Sequence, residues 1–440
     1  METTITAKLK LTLTSEQFHA LRQTQLAYRD VLNLVSKHAF AHGKTSNSRR
    51  LHHDLYDRVR GEYRLPSQMA CSVFRQVGAT YKALWRKWRK DQEALKAGYT
   101  KKRFKGLDDA PKYVSPTLTY VYGHDYSFRT GQEVSILTLT GRVRVPYQGW
   151  NRHVTLLGHG AIIGGAKLWY DRARKRFYLL VSLTIQTPDP LPTQARQIIG
   201  VDVGQRYLAT VATLGKGVQF FSGKAVRARA DHYARLQKRL QRKGTRSATR
   251  RRIAIGARER RLKLETNHTI SKHMLDSHPH SVIGLEDLTG IRDRTKRTHG
   301  KKASRKQRRA NQHASRWAFA ELHDLLIYKA HLAGSLCIKV DADYTSQACP
   351  RCGHTSKGNR PKKGLLFCCE VCHYTLHADL VGARNISLRT LCIRQAWIQT
   401  GQVSTAPDGT DVEAKAARLT RYAELRWSPV PSSLPLGGSI

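Results

Sequence analysis

The sequence predicts a multidomain α+β protein: an α/β domain carrying a cysteine-rich insert, a β-barrel-like domain, and a helical domain inserted into that barrel. Three observations predict it. The hydrophobic pattern switches from alternating to helical and back again along the first half of the chain. Pro188, Pro190 and Pro192 then punctuate the chain like a linker. Beyond them, apolar strands that end in carboxylates precede two Cys-x-x-Cys pairs.

With 440 residues, the chain is long enough for two or three cores. Its 77 Lys and Arg against 32 Asp and Glu leave a net charge of +45. An excess of that size repels itself in a folded chain and points to a polyanionic partner. No run of 18 apolar residues is present, which excludes a membrane-spanning helix, and the N-terminus lacks the layout of a signal peptide. The eight cysteines are too few for a disulfide scaffold, and four of them form the two Cys-x-x-Cys pairs, so a reducing compartment and a metal are expected.

Residues 4–13 alternate, with Ile5, Ala7, Leu9, Leu11 and Leu13 on one face, and read as a half-buried strand. Thr14 with Gln17 resembles a capping box opening a helix whose face is Phe18, Leu21, Tyr28, Leu32 and Val35. A second helix follows Pro66 and carries a basic side: Arg75, Lys82, Arg86, Lys87, Arg89 and Lys90. Such a side can simply be solvated; in a +45 chain nucleic-acid contact is the better reading. Residues 115–186 change to β-rich runs, 134–139 and 142–145, and a hairpin over 166–184 that turns at 172–176. The first strand is expected in the same sheet.

Past the linker, Ile198–Gly204 is an apolar run around one carboxylate, Asp202. A buried Asp is costly unless it is paired or holds a metal, and the flanking glycines allow close approach of backbone or ligand. Strands follow at 207–213 and 218–221, then a very basic helical region from about 226 to 276. Ser281–Leu288 repeats the earlier design, ending in Glu286. Residues 291–309 hold ten Lys or Arg and read as a flexible loop near phosphates, with a solvated charge run as the alternative. A helix begins near Trp317, a strand covers 336–340, and residues 401–440 read as a disordered tail.

Cys349, Cys352, Cys369 and Cys372 have sixteen residues between the pairs, the spacing of a zinc ribbon. Four thiolates fill a Zn²⁺ tetrahedron and leave no open position, so this zinc is structural. Cys368 would make a poorer Cys-x₃-Cys knuckle and is set aside; His354 and His373 are reserves. Soon after comes Asp379, opening a helical segment. Asp202, Glu286 and Asp379 are therefore three carboxylates at structurally marked places, as phosphodiester cleavage by two Mg²⁺ ions about 4 Å apart requires. Asp287, Asp341 and Asp343 are read as neighbours that are structural, support the metal ligands from behind, or are solvated. A basic zinc-ribbon protein that only binds nucleic acid is the competing class.

Residues 197–390 resemble the RuvC-like nuclease domain of TnpB, the insertion-sequence protein ancestral to type V CRISPR effectors. The likeness rests on Gly200-Val201-Asp202-Val203-Gly204, Gly284-Leu285-Glu286-Asp287-Leu288, Tyr344-Thr345-Ser346-Gln347 with Cys349 and Cys352-Gly353, Phe367 with Cys369 and Cys372, and Asp379 with Ala383 and Asn385-Ile386. Looser likeness reaches back to residue 5. Two departures are His373, where the family often has Gly, and Val381, where it often has Asn.

The resemblance implies an RNase H-like α/β fold for residues 196–400, with the zinc ribbon inserted at about 345–376. It also implies a wedge-like β-barrel from 1–14 and 115–195, and a helical recognition domain over 15–114. It implies an RNA-guided DNA endonuclease with Asp202, Glu286 and Asp379 as catalytic Mg²⁺ ligands and Cys349, Cys352, Cys369 and Cys372 as Zn²⁺ ligands. Guide RNA and target double-stranded DNA are the implied partners, with no membrane and no small-molecule substrate, in a prokaryotic cytoplasm and on the nucleoid when DNA-bound. A compact type V CRISPR effector is the nearest alternative. A nuclease-dead repressor would lack one or more carboxylates, and a strand-joining transposase fits the order of the elements less well.

Overall fold

The structure, a computed structural model, describes residues 2–98, 100, 103–158, 160–204, 206–215, 217–289, 319–361, 365–403 and 411–427. The basic stretch 291–309 lies outside them. The chain divides into two compact units, Glu2–Gln186 and the described residues from Thr187 onward.

In the first unit, strand β1 (Glu2–Leu11) buries Ala7, Leu9 and Leu11 and turns Lys8 outward, as its alternation requires. Thr14 and Gln17 form the capping box that starts helix α1 (Ser15–Ala41). Helices α2 (Ser48–Tyr63) and α3 (Ser67–Lys96) follow. The second of the three was not anticipated. Its apolar stripe is only Leu51, Leu55 and Val59 in an otherwise polar segment, and Asn47 caps it. Strands β2 (Leu118–Tyr120), β3 (Tyr126–Arg129), β4 (Glu133–Thr138) and β5 (Gly141–Gln148), helix α4 (Asn151–Gly158), and strands β6 (Ala161–Asp171) and β7 (Arg176–Gln186) complete the unit.

The seven strands run in the order β2-β6-β7-β1-β5-β4-β3, so the first strand sits in the middle of the sheet. A bridge from Tyr122 to Tyr126 brings the two edge strands together and nearly closes a barrel. Inside it, the Tyr120 hydroxyl donates to Leu137 O at 3.1 Å and that of Tyr126 to Gly164 O at 2.6 Å. Buried phenols need such partners. The helices and the sheet share one apolar core.

The second unit is built on a five-stranded sheet of order β10-β9-β8-β11-β12. Its strands are β8 (Gln197–Asp202), β9 (Tyr207–Thr213), β10 (Val218–Ser222), β11 (Ser281–Glu286) and β12 (Leu336–Val340). The first three pair antiparallel, while β8, β11 and β12 are parallel neighbours. The basic region read as one helical stretch is two helices, α5 (Lys224–Lys243) and α6 (Arg246–Ser277). Gly244 in the left-handed region ends the first and Thr245 caps the second. Helix α6 and helix α7 (Phe319–Leu332) cover one sheet face through Ile270, Met274, Leu322 and Leu326.

The other face belongs to helix α8 (Ala378–Thr400), which follows the short ribbon strands β13 (Leu366–Cys368) and β14 (Thr375–His377). The expected disordered tail is corrected in part: helix α9 (Val412–Ala423) lies within it, capped by Asp411. The Gly-, Pro- and Ser-rich composition around this segment masked a short helix whose partners lie about eighty residues earlier.

Candidate nuclease centre and zinc ribbon

Strand period places Gly200 and Asp202 on one face of β8, and Gly284 and Glu286 on the same face of β11. The two glycines are direct partners across the parallel pair. Helix α8 lies on them. A Cβ at Gly200 would stand 2.2 Å from Ala383 O and 2.3 Å from Ser387 N, and one at Gly284 would stand 1.9 Å from Thr390 Oγ1. The bare backbone lets the helix sit at van der Waals contact with both strands. At Gly200 it is backbone that makes the close approach, and at Gly284 it is the Thr390 and Ile386 side chains.

The start of α8 thus reaches the carboxyl ends of β8 and β11, and Asp379 arrives beside Asp202 and Glu286. All three line one cavity of about 480 Å³, together with Asp343, Thr345, Ser346 and Arg360. Gly382 leaves space for Asp202, whose carboxylate comes within 3.1–3.4 Å of where a Cβ would be. His377 caps α8, accepting from Asp379 N at Nδ1 at 3.2 Å.

Burial, with the facing Glu286 and Asp379 carboxylates adding to it, raises the Asp202 carboxyl well above the usual range; Arg360 opposes the shift. Burial also raises Glu286, while the Thr345 hydroxyl and Arg389 hold it down. Crowded carboxylates that resist ionising together are relieved by a multivalent cation. The donor set is all oxygen, suited to Mg²⁺. Thr345 Oγ1 donates to Glu286 Oε1 at 2.5 Å, and the Asn385 amide donates to Thr345 O at 2.7 Å and Ala348 O at 2.8 Å.

The four paired cysteines also meet. Their sulfurs all lie within 4.8 Å of one another, with Cys349–Cys372 at 3.6 Å and Cys352–Cys369 at 3.5 Å. Tetrahedral Zn–S bonds of 2.3 Å set sulfurs about 3.8 Å apart, so the cluster fits that ion. Cys368 stands outside it, and His354 faces Glu370 at 3.7 Å. Burial pushes the Cys349 thiol up to about 12. Burial opposes ionisation of Cys369 too, but the backbone N–H groups of Cys372 and Val371 outweigh it and hold that thiol at about 7. Phe367 and Val381 pack on the knuckles, joining the ribbon to the first turn of α8. Val381, one of the departures from the family pattern, is thus fully buried core.

Residues 181–293 match the family model described as "Probable transposase", and 319–386 match the Cas12f1-like TNB domain. The resemblance to the TnpB family holds. The chain is 26% identical over 279 residues to the putative RNA-guided DNA endonuclease InsQ of Escherichia coli K12, covering 60% of this chain and 66% of that protein. It is 36% identical over 126 residues to the CRISPR-associated endodeoxyribonuclease Cas12f1 of Sulfoacidibacillus thermotolerans, covering 28% of this chain and 26% of that one. The chain therefore spans about a quarter to two thirds of the length of these two relatives. Among solved structures, CasPhi-2 (Cas12j) bound to crRNA matches with a TM-score of 0.50 at 12% identity, over 92% of this chain and 99% of that one, a likeness of fold.

Sequence reasoning singled out neither Thr345 nor Arg360 as site residues, and Asp343 only as a neighbour. Thr345 stood in the quoted Tyr344–Gln347 run, a usable signal. Arg360 carried none, because its place at the cavity depends on how the ribbon folds back.

Proposed function

We propose that the protein is an RNA-guided, Mg²⁺-dependent endonuclease of the TnpB kind that cuts double-stranded DNA through a RuvC-like site. The observation that carries this reading is the convergence of Asp202, Glu286 and Asp379 on one cavity in a chain of net charge +45. Asp202, Glu286 and Asp379 would hold two Mg²⁺ ions. Such ions lower the pKa of an attacking water and offset charge on the leaving oxygen. Thr345 fixes the Glu286 carboxylate, and Arg360 presents positive charge at the cavity for a phosphate. Cys349, Cys352, Cys369 and Cys372 would hold structural Zn²⁺, which keeps the ribbon packed on α8.

In this reading the barrel and helices of the first unit serve as wedge and recognition domains for guide RNA and a short target-adjacent motif. Base pairing supplies sequence specificity while Lys and Arg hold phosphates. The protein would act in the cytoplasm, on nucleoid DNA. Asp202→Ala should abolish cutting of guide-matched plasmid and leave RNA binding intact; undiminished cutting would refute the site. A compact type V CRISPR effector is the second reading, favoured by the Cas12f1-like match over 319–386. Sequencing the RNA that copurifies separates the two: a transposon-end transcript with a variable 3′ segment supports the first, and an array-derived repeat the second.

A further inference from the structure

The segment that leaves β12 forms one wall of the cavity. Asp343 and Thr345 line it, and Thr345 is the residue that holds Glu286. What holds this segment comes from two helices. From α8, Arg389 donates through Nη1 to Asp341 O and through Nη2 to Asp343 O at 2.8 Å. From α9, Arg418 forks onto the Asp341 carboxylate at 3.0 and 3.4 Å, and the Tyr422 hydroxyl donates to the same group at 3.3 Å. Lys415 pairs with Asp343 at 2.7 Å. The Arg389 guanidinium stacks on the Tyr422 ring at 4.7 Å, so the two helices grip the segment as one unit. Just beyond α9, Trp427 N donates to Pro350 O on the first cysteine knuckle at 2.7 Å, and its ring lies against Arg384 of α8.

This attachment is specific. Asp341 is 5% exposed. A charge so buried needs a partner beside it, and here the partner is supplied by a helix 77 residues further on. Arg418 and Tyr422 thus satisfy the Asp341 carboxylate, and Lys415 that of Asp343, which lines the cavity with Asp202, Glu286 and Asp379.

We infer that α9 is a positioning element of the nuclease centre: Arg418, Tyr422 and Lys415 fix the Asp341–Thr345 segment, and through Thr345 they fix the Glu286 carboxylate for divalent-cation binding. This rests on the carboxylate-centre reading above. Positioning and bare electrostatics act in opposite directions. Removing the Arg418 charge alone would strengthen cation binding, whereas releasing the segment weakens it.

The test uses the full-length protein and two readouts. Mn²⁺ binding to nucleic-acid-free protein is followed by electron paramagnetic resonance, with Asp202→Ala defining the fraction bound at the centre. The Mg²⁺ concentration for half-maximal cleavage is measured on the protein with its copurified RNA. Arg418→Ala should weaken Asp202-dependent Mn²⁺ binding about tenfold and raise the Mg²⁺ requirement by a similar factor. Arg418→Lys should recover part of the loss. Tyr422→Phe changes no charge and little volume, so it tests the idea even where the alanine variant folds poorly; a loss of about threefold is expected from one hydrogen bond. Unchanged or tighter Mn²⁺ binding in Arg418→Ala and Tyr422→Phe overturns the inference. Wild-type protein that binds Mn²⁺ at Asp202 but cuts nothing speaks against the proposed function alone. Absence of any Asp202-dependent Mn²⁺ binding overturns both.

Discussion

Gly200→Ala should disable the second unit although it adds a single methyl. The new Cβ would meet Ala383 O at 2.2 Å, Ser387 N at 2.3 Å and the Ile386 carbonyl carbon at 2.9 Å. Ordinary contact begins near 3.4 Å, so α8 must withdraw by about 1 Å, and its backbone atoms cannot rotate aside as a side chain would. Overpacking costs about 1–3 kcal/mol, and the upper end applies here because all three obstacles are main chain. At roughly 2–4 °C per kcal/mol for a unit of this size, the melting transition should fall by about 6–12 °C. Withdrawal of α8 also carries Asp379 away from Asp202 and Glu286, and a shift near 1 Å is worth about 10²-fold in rate. Differential scanning fluorimetry and plasmid cleavage measure the two effects. Gly256→Ala is the control: it lies in α6 with nothing within 4 Å of the added atom and should be neutral or stabilising by up to about 1 kcal/mol. A Gly200→Ala protein that melts and cuts like wild type would refute the account of how α8 is seated.

Three further outcomes follow from the geometry. Burial, with Lys339 adding to it, depresses His323 from 6.5 to about 4. The unfolded chain therefore takes up a proton that the folded chain refuses, and stability is lost as pH falls from about 6.5 towards 4, by on the order of 2–3 kcal/mol. His323→Leu should flatten the difference between denaturant midpoints at pH 7 and pH 5. Thiol titration with a mercurial should release one Zn²⁺ per chain, read by a colorimetric chelator, and Cys349→Ser should abolish that release and lower the melting temperature of the second unit. Thr14→Ala removes the capping box, in which Gln17 N donates to Thr14 Oγ1 at 3.3 Å and Thr14 N to Gln17 Oε1 at 3.0 Å. It should cost about 1 kcal/mol by urea denaturation, with no change in metal dependence.

The parts of the fold that were legible in the sequence are those set by short-range periodicity. Alternation in residues 4–13 marked β1, and Ile198–Asp202 and Ser281–Glu286 marked strands whose carboxylates share a face with a glycine two residues earlier. The cysteine spacing fixed which sulfurs meet, because each knuckle is local. What could not be read depends on contacts between distant residues. Nothing in Gly200 or Gly284 names Ala383, Ser387 and Thr390 as the atoms that fill their missing side chains. Nothing in Arg418 points to Asp341, so composition alone reads the last helix as part of a disordered tail. Helix α2 is hidden for a different reason: only three aliphatic residues, Leu51, Leu55 and Val59, mark its buried face among many charged ones.

The central place of β1 in its sheet governs how the protein can be made. Glu2 pairs with Gln186 and Lys10 with Tyr178, so β1 leaves the ribosome with no long partner until the end of the unit emerges. At 5–20 residues per second that interval is about 10–40 s. Helices α1 to α3 can form meanwhile, since their contacts are nearer in sequence, but the barrel they pack against cannot. During that time the apolar edge of Ala7, Leu9 and Leu11 has no sheet to enter. This places an aggregation-sensitive window of biosynthesis between the emergence of β1 and that of β7. Synonymous changes that slow translation between residues 12 and 176 should therefore lower soluble yield more than equal slowing after residue 187.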